Sequence, residues 1–260
     1  MRQLSGPCGQ IQFVGRCLGV HMSGFLLHGL LILMLSASSM TQTSPNAPCQ
    51  SASADIVAAR ISAPVELNAG HPSKEWERAT PISFCEDWQG KNAAPERATV
   101  VRILWSPEML YLRFECRYTQ VTVFADSEPN GRRNHLWDRD VAETFLQPDP
   151  SREKRYKEFE VAPNGMWIDL DIGTGELVDL KSGLQRSVAL DEKAHRWTAE
   201  LAIPMKALTA NFDPKAEWRT NFFRVEGAAE PRYYSAWQAT NTEQPNFHVP
   251  KAFGRMRFEP

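Results

Sequence analysis

The chain has 260 residues, with 29 basic and 31 acidic side chains, a formal net charge of −2 and 42% hydrophobic content. Charges of both signs are interspersed along it, so there is no clustered basic face of the kind that binds nucleic acid. None of the 5 cysteines forms a Cys-x-x-Cys pair, which removes the usual spacing of a zinc or thioredoxin-like site.

The first acid is Asp55, and the segment before it opens with Arg2 and Arg16. Gly24–Leu35 is apolar except for His28, and Ser36-Ala37-Ser38-Ser39 follows. A positive start, a short apolar core and small residues at the exit are the parts of a secretory signal, assigned to residues 1–39. The apolar run is shorter than the roughly 20 residues that span a bilayer. An uncleaved signal acting as an anchor is the only membrane association expected. The protein is therefore expected to be secreted or periplasmic. Residues 40–58 are rich in Ser, Thr, Pro and Ala and are read as a flexible leader. Residues 59–260, about 200 residues, fit one domain, expected as a monomer.

Strand signals then run through the chain. Ala98–Ser106 and Met109–Tyr118 are joined by a Ser-Pro-Glu turn. In the second run Leu112, Phe114, Cys116 and Tyr118 alternate with Arg113, Glu115 and Arg117, the period of a half-buried strand. Val141–Gln147 follows. Tyr156–Val161 and Met166–Ile172 flank Asn164-Gly165, a hairpin signal. Ser187–Leu190 and Arg196–Ile203 flank a polar turn, and Glu217–Val225, Tyr233–Ala239 and Phe253–Phe258 complete the set. Only Pro204–Ala210 reads as a helix, a short one. Many short strands without alternating long helices predict an all-β fold, an antiparallel β-sandwich. Of the late cysteines, a Cys85–Cys116 bridge and two separate small buried side chains both fit these runs.

Catalytic signatures are sparse. There is no Gly-x-Ser-x-Gly elbow, no His-Glu-x-x-His and no phosphate-cradling glycine loop; Gly173-Thr174-Gly175 reads as a turn. Acids cluster at Asp138, Asp140 and Glu143, at Glu158 and Glu160, and at Asp169 and Asp171. Alternating acids such as Asp169 and Asp171 are expected on a solvated strand face. A hydrolase would use Asp140 or Glu143 with Glu158 or Glu160. A haem carrier would use Met166 with His135 or His248. Trp76, Trp105 and Trp197 sit in apolar patterns and are expected in the core. Trp137 and Phe247 instead lie in polar loops, where a ring either plugs the core or is offered to a ligand.

Six segments, in order, carry a resemblance. They are Glu75–Ala79 (EWERA), Arg102–Phe114 (RILWSPEMLYLRF), Trp137–Leu146 (WDRDVAETFL), Phe159–Gly165 (FEVAPNG), Trp197–Pro204 (WTAELAIP) and Phe253-Gly254 with Arg255 and Arg257. Together they resemble the family 9 carbohydrate-binding modules within the DOMON-like sandwiches of jelly-roll or immunoglobulin-like form, over residues 60–259. The resemblance implies non-catalytic sugar binding, accessory to polysaccharide breakdown. The sugar would be clamped between two rings, Trp137 and Phe247, with Glu143 as the acid; Asn246 and Trp237 complete the candidate set. Glu160 stands where some binders carry a base, and Phe247 where the family usually has Trp. No cofactor is implied beyond structural calcium, whose early acidic segment corresponds here to Val65-Glu66-Leu67-Asn68. In this reading Glu143 lies on the solvated face of its strand, free to reach a ligand.

Overall fold

In the computed structural model, which describes residues 49–51, 53–173 and 178–260, the alternating runs become strands close to the expected boundaries. The strands are β1 Asp55–Arg60, β2 Ile82–Phe84, β3 Thr99–Trp105, β4 Met109–Arg117, β5 Val141–Gln147, β6 Tyr156–Val161 and β7 Trp167–Ile172. They continue as β8 Val178–Asp179, β9 Gln185–Asp191, β10 Arg196–Pro204, β11 Trp218–Glu226, β12 Tyr233–Ala236 and β13 Gly254–Phe258. The expected helix is a single turn, α1 Met205–Leu208, beginning just after Pro204, which has no N–H to contribute to a strand ladder. The secretory signal expected over 1–39, and residues 174–177 of the glycine turn, lie outside the described residues. Among the described residues no helix is long and apolar enough to cross a membrane.

Two sheets are built. One runs β8-β7-β6-β5-β11-β13-β1 with β12 on the other end of β11; the second runs β1-β3-β4-β10-β9 with β2 on β3. β1 belongs to both, pairing through residues 55–58 with β13 and through residues 59 and 60 with β3. Both pairings are parallel, whereas the other strand pairings among the described residues are antiparallel. Within the segment read as a flexible leader, residues 49–51 and 53–58 are thus fastened to the domain. Cys49 is disulfide-bonded to Cys85, the Gln50 amide donates to the Trp237 carbonyl at 2.8 Å, and β1 ties the sheets together. Its Ser/Ala-rich sequence gave no sign of this, because the partners lie far along the chain.

The main core fills the space between the sheets. Leu110, Leu112, Phe114 and Cys116 of β4 meet Ala142 and Leu146 of β5, Phe159 and Val161 of β6, and Trp197, Ala199, Leu201 and Ile203 of β10. Trp105 and Trp197 lie here as expected, and Trp76 is buried in a smaller cluster with Ile61, Leu104 and Tyr111. Cys116 is a buried free thiol, so the Cys85–Cys116 bridge is not formed; Cys116 packs as a small apolar side chain, and Cys85 bonds to Cys49 instead. The Asn164-Gly165 hairpin forms as expected, Gly165 taking φ +82 between β6 and β7.

A second apolar layer sets the site. Residues of β5, β6, β7 and β11 that point away from the main core, among them Phe145, Tyr156, Leu170, Phe223 and Val225, form a separate cluster with Leu136, Phe247 and Phe253 from loops. This face of the sheet is covered, not solvated. Asp169 follows the same correction. It is 1% exposed and accepts from the Ser182 backbone N–H at 2.7 Å, while only Asp171 reaches solvent-side partners, Lys157 at 2.8 Å and Arg155 at 3.6 Å.

Candidate ligand pocket

The loop before β5 places the first ring. His135 takes the left-handed conformation and starts a 3-10 turn, Leu136–Asp138, that pins Leu136 in the second core and turns Trp137 outward. The half-buried Trp137 lies 4.8 Å from the His135 ring, and its carbonyl accepts from Arg232 Nη1 at 2.8 Å. The loop before β13 places the second ring. Phe247 stacks on Phe223 with centroids 4.2 Å apart and an interplanar angle of 13°. One face of Phe247 is therefore taken, and the residue is 9% exposed.

Between these loops lies a cavity of about 310 Å³, lined by Trp137, Glu143, Glu158, Leu170, Val225, Arg232, Tyr234, Pro245, Asn246, Phe247 and His248. Four of the five expected ligand residues meet here: Trp137, Glu143, Asn246 and Phe247. Trp237 does not. It is 1% exposed in the main core, 5.6 Å from Phe222, with its ring against Gly254. The polar residues around Trp237 in sequence gave no measure of its burial. Of Met166, His135 and His248, only His248 lines the pocket, and its Nδ1 is bonded to the Tyr156 hydroxyl at 2.6 Å.

Glu143 is 3% exposed, because its face carries the second core rather than water. It stands directly opposite Glu160 in the β5–β6 register, and Glu158 is diagonal to it, opposite Phe145. Oxygens of the three carboxyl groups lie within 4.8 Å of one another. Glu143 Oε1, Glu158 Oε2 and both oxygens of Glu160 are buried without a hydrogen-bond partner. Burial raises the Glu143 carboxyl well above its usual range, with Glu158 adding to the rise and Arg232 opposing it. Glu160 is raised by burial and then by Glu143 and Glu158. Burial also raises Glu158, less strongly, with the neighbouring Glu160 carboxyl and the proximity of His248 relieving part of the rise. The neighbouring base is held elsewhere: Arg232 lies over the Tyr234 ring at 4.9 Å and its Nε pairs with Glu230 at 3.1 Å.

Asp140, the other hydrolase candidate, is a fastener. It is fully buried, accepts from the Gly227 N–H at 2.7 Å and the Thr122 N–H at 3.1 Å, and joins two loops outside the pocket. Sequence reasoning did not assign Arg232, Tyr234, Leu170, Val225 or Pro245 to the site. Arg232 and Tyr234 follow Glu230-Pro231, whose charged and aromatic neighbours were the one available signal. In the segment Val65–Asn68, Glu66 is exposed and the Asn68 side chain accepts from the His71 N–H at 3.1 Å.

An all-β sandwich with an aromatic-rimmed concave pocket on one covered sheet face is the architecture of a small-ligand-binding module. The chain belongs to the Carbohydrate family 9 binding domain-like family, whose profile it matches over residues 69–259. Among solved structures it is similar to a candidate carbohydrate-binding protein from Bacteroides uniformis, with TM-score 0.60 and 16% identity over 79% of this chain and 99% of that one. It is also similar to a family 9 carbohydrate binding module from Caldicellulosiruptor kristjanssonii in complex with cellotriose, with TM-score 0.57 and 15% identity over 79% and 93% of the two chains. A relative from Arthroderma benhamiae, named "Extracellular protein", is 23% identical over 182 residues, 63% of this chain and 80% of that one.

Proposed function

We propose that the pocket binds a saccharide without chemically altering it, and that the protein acts outside the cytoplasm as an accessory to polysaccharide breakdown. The observation that carries this reading is the convergence of Trp137 and Phe247 on one cavity with Glu143 in its wall. A pyranose presents C–H groups on its faces and hydroxyls on its rim. Covering one face with an aromatic ring removes roughly 100 Å² of apolar area, on the order of 2.5 kcal/mol. Trp137 carries more of this than Phe247, because Phe247 has one face on Phe223. After association costs, micromolar-to-millimolar affinity is expected. The cellotriose complex of the Caldicellulosiruptor module and the extracellular name of the fungal relative support the ligand class and the location.

Hydrolysis is less well supported by the carboxyl environments. A glycosidase separates the roles of its two acids by holding one ionised and one protonated. Glu143 and Glu158 both line the pocket, and burial raises both in the same direction. The test is titration of the full chain with glucose, cellotriose and a panel of insoluble polysaccharides, beside Trp137→Ala, with reducing ends assayed in parallel. Selective binding lost in the variant, without release of reducing ends, is expected; binding by the variant equal to the parent's would refute the site.

A further inference from the structure

We propose that Glu143, Glu158 and Glu160 hold one hard divalent cation of the calcium class at the floor of the pocket. The three side chains come from adjacent strands, two of them directly opposed, and their oxygens lie within 4.8 Å of one another. Calcium takes oxygen ligands at about 2.3–2.6 Å, so ligands on opposite sides of one ion stand about 4.6–5.2 Å apart and neighbouring ones closer. The cluster is of that size. The donors are all oxygen, and the one nearby imidazole is engaged with Tyr156, which argues against zinc or copper.

A second observation points to a ligand. Glu160 is fully buried and neither of its oxygens has a partner, while Glu143 and Glu158 each leave one buried oxygen free. Buried carboxylates are ordinarily paired or bound to metal. No ion pair to any of the three is formed among the described residues. A divalent ion would supply the positive charge the cluster lacks, since Arg232, the base lining the same cavity, is engaged by Glu230 and Tyr234. Glu143 and Glu158 line the cavity, whereas Glu160 lies behind them. The ion's remaining positions would therefore open toward the pocket, where sugar hydroxyls can replace water; this part rests on the saccharide reading.

The experiment is calorimetric titration of the EDTA-treated full chain with calcium chloride alone, then with cellotriose in the presence and absence of calcium. Glu160→Gln and Glu143→Gln are compared, with the exposed Glu192→Gln in the β9–β10 turn as a remote control and circular dichroism to verify folding. Saturable calcium binding, weakened at least tenfold by Glu160→Gln and untouched by Glu192→Gln, is the expected result. Absence of saturable binding, or equal binding in Glu160→Gln, overturns the site and leaves a cluster that shares protons only. Calcium binding without any sugar binding keeps the site and removes the saccharide reading. Sugar binding that ignores calcium keeps that reading and overturns the coupling between them.

Discussion

Glu143 of β5 and Glu160 of β6 are direct cross-strand partners on a buried sheet face, and neither is in an ion pair. Like charges in that register destabilise a sheet when both are ionised. The surrounding rings of Phe145, Phe223 and Phe247 would ordinarily call for apolar residues at these two positions. Two acids there cost stability that apolar residues would not.

Trp137→Ala should lower saccharide affinity by at least tenfold while leaving thermal stability nearly unchanged, because the ring is half-buried on a loop. Phe247→Ala should do the reverse in emphasis. It removes a ring stacked on Phe223 and should cost about 3 kcal/mol of stability, the low end for buried Phe truncation. Calorimetry with cellotriose and chemical denaturation of both variants check the contrast.

The raised carboxyls at Glu143 and Glu160 give the cation-free protein a specific pH profile. Each holds a proton in the folded state at pH values where the unfolded chain has released it. This contribution is fully present below the ordinary Glu value of 4.5 and is lost as pH rises through the folded value. Stability in EDTA should therefore increase as pH falls from 7 toward 5, and Glu160→Gln should flatten that slope. Urea denaturation midpoints across the range measure it; a parent slope equal to the variant's would contradict the assignment.

The two described cysteine environments should respond oppositely to reagents. Cys116 is fully buried, and burial pushes its thiol up to about 11, so iodoacetamide at pH 8 should leave it unlabelled in the native protein and label it in denaturant. Reduction of Cys49–Cys85, which closes a loop with a sequence separation of 36, should cost about 2–4 kcal/mol. Peptide mapping and thermal melts with and without reductant read the two effects.

Gly254 admits no side chain. A Cβ there would lie 2.5 Å from the Trp237 ring and 2.6 Å from the Ala54 carbonyl, at the start of the β1–β13 pairing. Gly254→Ala should destabilise by about 1–3 kcal/mol, a drop of several degrees in melting temperature for a domain of this size. Sugar affinity at a temperature where the variant is folded should change little, since Gly254 does not line the pocket.

The strands at β4, β5, β6 and β10 were legible because alternation along a strand reports directly on which side is buried. The pocket loops were legible through Trp137 and Phe247, rings out of place among polar neighbours. β1 was not, since Asp55–Arg60 carries only a weak strand pattern and its partners lie up to 200 residues away. The covered face was misread for a related reason. Glu143 was expected on a solvated face, yet Phe145, Tyr156 and Leu170 share the face that it occupies with Glu158 and Glu160. A face mixing acids with large rings was the available sign that something covers it.

The placement of β1 has a consequence for synthesis. Its parallel partner β13 spans Gly254–Phe258, so the seam between the two sheets needs segments made some 200 residues apart. A chain in which β13 has not yet been made cannot complete that seam, and loop closure over such a distance is slow. Until β13 has been made, β1 lacks one of the two partners that join the sheets.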